Sequence, residues 1–190
     1  DNTSIYISRS GYTGEDGFEI SIPNENAENF INQIFNNEDA LLCGLGCRDS
    51  LRVEAGLSLY GNEINEDITP IQASLSWALD KNRLEDDKLN GSNILLQQLQ
   101  ETKDTVKIGI TPVNKTMLRN NMTLHNMEKN EIGYITSGCY SPILKRSIGI
   151  GYIKNFANKL DKLFVKVRGE FEEVIIDNIP FVKKNYKKGG

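Results

Sequence analysis

The chain has 190 residues, 38% hydrophobic and 25% charged, with a formal net charge of −4. That composition suits a globular protein long enough to bury a sizeable core, and the mild negative charge argues against a general nucleic-acid binder, whose domains are usually basic. No apolar run reaches the roughly 18–20 residues of a membrane-spanning helix, and the opening residues lack the charged-then-apolar pattern of a signal peptide.

In chain order, Ser4–Ser8 and Phe18–Ile22 alternate apolar and polar residues and read as two strands. Between them lies Gly11-Tyr12-Thr13-Gly14-Glu15-Asp16-Gly17. Its glycines recur every third residue, which marks a tight turn. Because the chain opens on Asp1 and runs at once into a strand, it reads as a piece of a longer protein. Pro23-Asn24 ends the second strand and offers Asn24 as a helix cap. Ala27, Phe30, Ile31, Ile34 and Phe35 then recur at helical spacing, which predicts an amphipathic helix with one buried face. Arg48–Leu57 reads as a short helix ending near Gly56. Thr69-Pro70 is a helix start, with Thr as cap and Pro at the first helical position. Trp77 on that helix is expected in the core or in a channel wall. Lys81–Asn90 reads as a charged loop, and Ser92 as the cap of a helix carrying Ile94, Leu95 and Leu99.

The pattern changes near residue 101, where we place a domain boundary. Short strands are expected at Val106–Ile110, Glu131–Thr136, Ser147–Ile153, Leu163–Arg168 and Glu173–Ile176. Strands at this spacing with glycine-marked turns predict a small β-barrel or sandwich. The fold class is therefore α+β, with the β-barrel or sandwich at the C-terminal end.

Few residues suit metal or nucleophilic chemistry. Cys43, Cys47 and Cys139 are an odd set without regular spacing, which fits a reducing compartment and small core or pocket-lining thiols. His125 is the single histidine, so neither a zinc site nor a histidine-based triad is expected. The turn glycines do not form a phosphate loop, since a strand rather than a helix follows them.

Several segments carry a more specific signal when taken together and in order. They are Gly11–Ile20, Leu45-Gly46-Cys47-Arg48-Asp49-Ser50-Leu51-Arg52-Val53-Glu54-Ala55-Gly56-Leu57-Ser58-Leu59-Tyr60-Gly61-Asn62-Glu63-Ile64, Thr69-Pro70 with Leu75-Ser76-Trp77, Thr136-Ser137-Gly138-Cys139-Tyr140-Ser141-Pro142, and Ile179-Pro180-Phe181-Val182-Lys183-Lys184-Asn185-Tyr186. From about Ser8 to Tyr186 the chain resembles the T-protein, or aminomethyltransferase, family of the glycine cleavage system. The resemblance implies a C-terminal antiparallel β-barrel over 102–190. It also implies the second half of a folate-cradling domain over 1–61 and the end of a mixed α/β domain over 62–101. Open strand edges and uncovered apolar faces are expected where the family's upstream residues would pack.

The implied activity moves a one-carbon unit from the aminomethyl group of a lipoyl carrier (H) protein to tetrahydrofolate. The products are methylenetetrahydrofolate, ammonia and the reduced lipoyl group. No metal is implied, and no partner among nucleic acids or membranes. The implied compartment is the bacterial cytoplasm or, in a eukaryote, the mitochondrial matrix.

Four residues match family folate contacts. Glu19 corresponds to the pterin-binding carboxylate, a strong partner for a donor edge. On residue chemistry alone it could equally be an outward strand glutamate. Tyr12 corresponds to a pocket aromatic, or is a turn tyrosine packed on the core. Arg48 corresponds to a folate-contacting guanidinium, or forms a surface ion pair with Asp49 or Glu54. Tyr186 corresponds to a C-terminal substrate contact, or is a frayed tail aromatic. Arg52 and Glu54 share the Arg48 segment, and spacing leaves their direction open. Thr136-Ser137-Gly138 and Ser141-Pro142 read as a tight turn facing the folate domain.

The family's catalytic acid is an Asp that matches no residue here, so the isolated chain is expected to be inactive. The folate domains of sarcosine and dimethylglycine dehydrogenases, and a related demethylase, are alternatives within the same chemistry. Outside it lie a folate-binding protein of iron–sulfur assembly, whose signature is missing here, and a truncated copy acting only as an interaction module.

Overall fold

The structure is a computed structural model and describes residues 4–86, 89–100, 105–154 and 162–187. Its centre of mass in packing terms is a closed antiparallel barrel of order β3-β6-β5-β4-β7-β8. The strands are β3 (Thr105–Pro112), β4 (Thr123–His125), β5 (Glu131–Ser141), β6 (Arg146–Lys154), β7 (Leu163–Val167) and β8 (Glu170–Asp177). Closure leaves no strand edge open within the barrel. Its interior is filled by Ile110, Leu118, Leu124, Ile135 and Val165, each 0% exposed, with Ile132, Leu163 and Val174 beside them.

Two features of the barrel differ from the sequence expectation. The short β4 lies in Thr123-Leu124-His125, where only one side chain in three is an aliphatic core residue, so alternation gave no signal. His125 is held there by Thr123 Oγ1 at 2.8 Å and the Lys129 carbonyl at 3.1 Å. Thr136-Ser137-Gly138 is not a turn. β5 runs through it to Ser141, and the turn follows at residues 142–145. A register shift between Ile135 and Ser137 marks a bulge in β5, a device that re-aims side chains.

Residues 4–100 are less compact. β1 (Tyr6–Ser8) and β2 (Glu19–Ser21) form a two-stranded antiparallel ribbon with Ile7 opposite Ile20. The helix α1 (Asn24–Phe35) forms where the periodicity places it, but it holds no buried residue. Ile31, Ile34 and Phe35 are 45%, 41% and 36% exposed, which corrects the expected buried face. Asn24 opens α1 rather than capping it; Pro23 sits at the cap without a side-chain bond. α2 spans Leu45–Glu54, three residues earlier than expected.

Thr69 does close a reciprocal cap with Gln72, accepting from its N–H at 3.3 Å while Gln72 Oε1 accepts from the Thr69 N–H at 2.9 Å. The expected helix does not follow: residues 70–74 form a single hydrogen-bonded turn, with the Ala73 N–H donating to the Thr69 carbonyl at 3.0 Å. Ser74 takes a left-handed φ of 59°, and only a short 3-10 turn at Ser76–Ala78 follows. Trp77 is 80% exposed rather than core. The expected loop after it instead contains α3 (Lys81–Glu85), capped by Asp80. α4 (Ser92–Gln100) packs with α3 through Ile71, Leu84 and Leu95.

The two parts are joined along α2. Val53 packs on Ile148 and Ile150 of the barrel wall, with Ile179 and Phe181 alongside. Gly56 must be glycine, since φ is +67° and a Cβ would lie 1.9 Å from Ile179 Cγ2. Among the described residues no helix is long and apolar enough to cross a membrane.

Candidate functional site

The glycine turn is anchored from two directions. Gly14 has φ +81°, and a Cβ there would meet the Ala55 side chain at 2.7 Å, so the turn lies directly on the end of α2. The C-terminal segment covers it from the other side. Asn185 donates its N–H to the Gly14 carbonyl at 2.8 Å, and Val182 donates to the Glu54 carbonyl at 3.0 Å. Arg9 and Asp16 brace the base of the turn through a pair at 2.6 Å. This pair holds Asp16 below the usual carboxylate range.

Within this frame Tyr12 and Arg48 come together. The Arg48 guanidinium carbon lies 4.7 Å from the Tyr12 ring centroid, a cation–π contact. The Tyr12 hydroxyl donates to the Ser58 carbonyl. Burial raises its pKa, and Arg52 partly opposes that rise. Glu19 stands exposed on β2, where its carboxylate accepts from Ser10 Oγ at 2.5 Å. Ser10, Gly11, Asp16 and Tyr186 line a groove of about 300 Å³, and Tyr186 is 44% exposed there. The four residues thus form two pairs: Tyr12 with Arg48, and Glu19 with the Tyr186 groove by way of Ser10. Among the described residues no hydrogen bond or ring contact joins one pair to the other. The Arg48 guanidinium faces the Tyr12 ring and makes no ion pair with Asp49 or Glu54 among the described residues.

One turn further along α2, Arg52 points inward, and sequence reasoning left its direction open. It is 1% exposed and bonds Glu63, itself 0% exposed, at 2.8 Å. Its other nitrogens reach Asp49 at 2.8 Å and Ser137 Oγ at 2.7 Å. The β5 bulge lets the adjacent Thr136 and Ser137 both donate to Glu63 Oε1, while Leu59 N–H fills Oε2 at 2.9 Å. Tyr152 closes the network by donating to the Glu63 carbonyl at 2.8 Å. Glu54 is likewise engaged, by Ser141 Oγ. These buried charges lock the Tyr12–Arg48 platform to the barrel. Glu63 was missed because it falls in an irregular stretch without periodicity. Its one cue was a carboxylate downstream of a helix-borne arginine.

Cys43 and Cys47 are exposed, which corrects the core part of the core-or-pocket-lining expectation, and Cys139 is half-buried. Among the described residues no cluster of three or more histidine, cysteine or acidic side chains could hold a metal.

Comparison with known proteins gives a consistent result. Residues 1–83 match the GCVT N-terminal domain and residues 103–183 match the glycine cleavage T-protein C-terminal barrel domain. The chain is 40% identical over 189 residues to a mitochondrial aminomethyltransferase of Flaveria trinervia, covering 98% of this chain and 46% of that protein. It is 40% identical over 181 residues to the mitochondrial aminomethyltransferase of Homo sapiens, covering 95% and 45%. The crystal structure of glycine cleavage system aminomethyltransferase T from Bartonella henselae superposes with a TM-score of 0.90 at 36% identity, covering 97% of this chain and 51% of that one. The chain therefore spans about half the length of the relatives it matches. With both domain types present in order and relatives at this identity along nearly its whole length, the chain belongs to the glycine cleavage T-protein family.

Proposed function

We propose that these residues form part of an aminomethyltransferase that passes a one-carbon unit from a lipoyl carrier protein to tetrahydrofolate. The observation that carries this reading is the Tyr12–Arg48 stack. Two residues 36 positions apart, each matching a family folate contact, meet beside the glycine turn. Glu19 is suited to receive the donor edge of the pterin, displacing or sharing Ser10. Arg48 and Tyr12 offer a cationic, flat surface, and Tyr186 closes the groove beside the turn. The chemistry asked of them is positioning and charge complementarity. We read residues 1–61 and 62–101 as parts of two folate-side domains and 102–190 as the barrel domain. The compartment in this reading is the mitochondrial matrix in a eukaryote, a reading supported by the mitochondrial relatives, or the cytoplasm in a bacterium. We further propose that the 190 residues alone do not turn over, since they cover under half of each curated relative.

Calorimetric titration of tetrahydrofolate into the chain tests the binding role. Glu19→Ala should weaken binding about tenfold or more, as expected for loss of a charge-assisted bond, and Glu19→Gln should weaken it less. Unchanged affinity in both Glu19→Ala and Arg48→Ala would remove the proposed site. Turnover by the 190-residue chain above the uncatalysed rate would refute the claim of inactivity.

A further inference from the structure

Cys43 and Cys47 stand four positions apart, on either side of the start of α2. Both are exposed, and their thiols hydrogen-bond each other. Desolvation, and then the neighbouring Cys43, raise the Cys47 pKa, as the close approach of two acidic groups does. The site described above uses neither side chain.

The helix start between the two thiols is weakly held. Gly44 at the cap position has no side chain to bond the unpaired N–H groups of the first turn. Gly46 puts a second glycine into that turn, at a cost to helix stability. Leu45 between them is 76% exposed. The fastening that exists is the Gly44 carbonyl, which accepts from the Cys47 N–H at 3.1 Å and from the Arg48 N–H at 3.2 Å. Arg48 leaves from this turn to stack on Tyr12, so backbone freedom at Gly44 passes directly to the guanidinium.

The spacing suits a cross-link that needs a small movement. Cβ atoms one helical turn apart lie about 5–6 Å from each other, whereas a disulfide brings them to about 3.5–4.5 Å. Gly44 and Gly46 supply the adjustment. A Cβ on either would meet nothing within 4 Å among the described residues, so no neighbour obstructs the shift.

We propose that Cys43 and Cys47 form a reversible disulfide that ties the first turn of α2 and so fixes the backbone from which Arg48 reaches Tyr12. The oxidant is a small-molecule disulfide. The Cys43 thiolate attacks one of its sulfurs, forming a mixed disulfide and expelling the other half as a thiolate. The Cys47 thiolate then attacks Cys43 Sγ and expels the second half. Two protein thiols become one disulfide, one small disulfide becomes two thiols, and the two protein protons end on the departing thiolates. A ring this short and this exposed belongs with the labile, regulatory disulfides rather than the structural ones, which is the class found in reducing compartments. The cross-link does not rest on the folate reading, because neither thiol takes part in it.

The test equilibrates the chain with mixtures of reduced and oxidised glutathione, traps free thiols by alkylation and maps the products by mass spectrometry. Cys43 and Cys47 should be lost together as one cross-linked peptide, and dithiothreitol should restore both. Cys139 should remain open to alkylation throughout, since it is half-buried and burial pushes its thiol up to about 11. Cys43→Ser and Cys47→Ser, both surface changes, should each abolish the cross-link and leave a glutathione adduct on the remaining partner. Cys139→Ser should keep it. Amide hydrogen exchange at Cys47 and Arg48 should slow about tenfold or more in the oxidised chain, as for a turn that has lost conformational freedom. The same treatment of Cys47→Ser should leave Arg48 exchange unchanged. A chain that stays reduced, that collects separate glutathione adducts on Cys43 and Cys47, or that links only to second copies of itself overturns the proposal. A cross-link without slower exchange overturns the tie to Arg48. None of these readouts measures folate binding, so the two readings fail separately.

Discussion

The helical half and the barrel half of this chain obey the same patterning rules but reach different burial. In the barrel each apolar stripe meets another strand across the interior, and Ile110, Leu124 and Ile135 are wholly buried. In α1 an equally regular stripe leaves Ala27 and Phe30 only half-buried, and Ile31 remains 45% exposed. Leu41 and Leu42, just beyond α1, are 82% and 83% exposed. Hydrophobic periodicity thus reports which side of an element wants a partner. It does not report whether the partner is there.

The joint between the halves offers the largest perturbation. Arg52→Met strands Glu63 as a buried unpaired charge, and breaking such a pair costs about 3–5 kcal/mol. Urea denaturation should show that loss, and the double variant Arg52→Met/Glu63→Leu should recover most of it. If the single variant were as stable as the parent, the network would not be what couples the halves. Next comes the barrel wall: Ile150→Ala should cost about 2–5 kcal/mol through a buried cavity. A cost below about 1 kcal/mol would mean that the wall collapses around the gap.

A pH titration tests the same wall more gently. Burial pushes the Cys139 thiol from 9.0 up to about 11. The folded chain therefore keeps this proton through an interval in which the unfolded chain has lost it. Its contribution is complete below pH 9 and is lost as pH rises towards 11. Stability measured at stepped pH should fall less steeply in Cys139→Val than in the parent; parallel curves would show that the thiol is not shielded. The smallest effect belongs to α1. Ile34→Ala should change stability by no more than about 0.5 kcal/mol, as for a surface position. A loss of 2 kcal/mol or more, the size expected for a core site, would show that this face is covered after all.

Much of the architecture could be read from sequence wherever a local signal and its tertiary outcome agreed. Five of the six barrel strands and the position of α1 follow from alternation and helical spacing. Thr69-Pro70 misled because a sound cap sets where a helix begins, while Ser74 in the left-handed region decides how soon it stops. β4 was too short to display a period. Within the candidate site, Arg48 and Tyr12 could be placed together by resemblance. Glu63 and Ser137 could not, because their partnership spans 74 residues and depends on a strand bulge that leaves no mark in composition.

The tail that returns to the glycine turn has a consequence for how the protein is made. Asn185 bonds Glu15 across a separation of 170 residues, and its N–H meets Gly14. During synthesis the turn emerges first and waits without its cover until residues 182–185 have cleared the ribosome. Contacts of such long sequence separation form late and slowly. Although made before the barrel, the turn is therefore among the last parts of these residues to be completed.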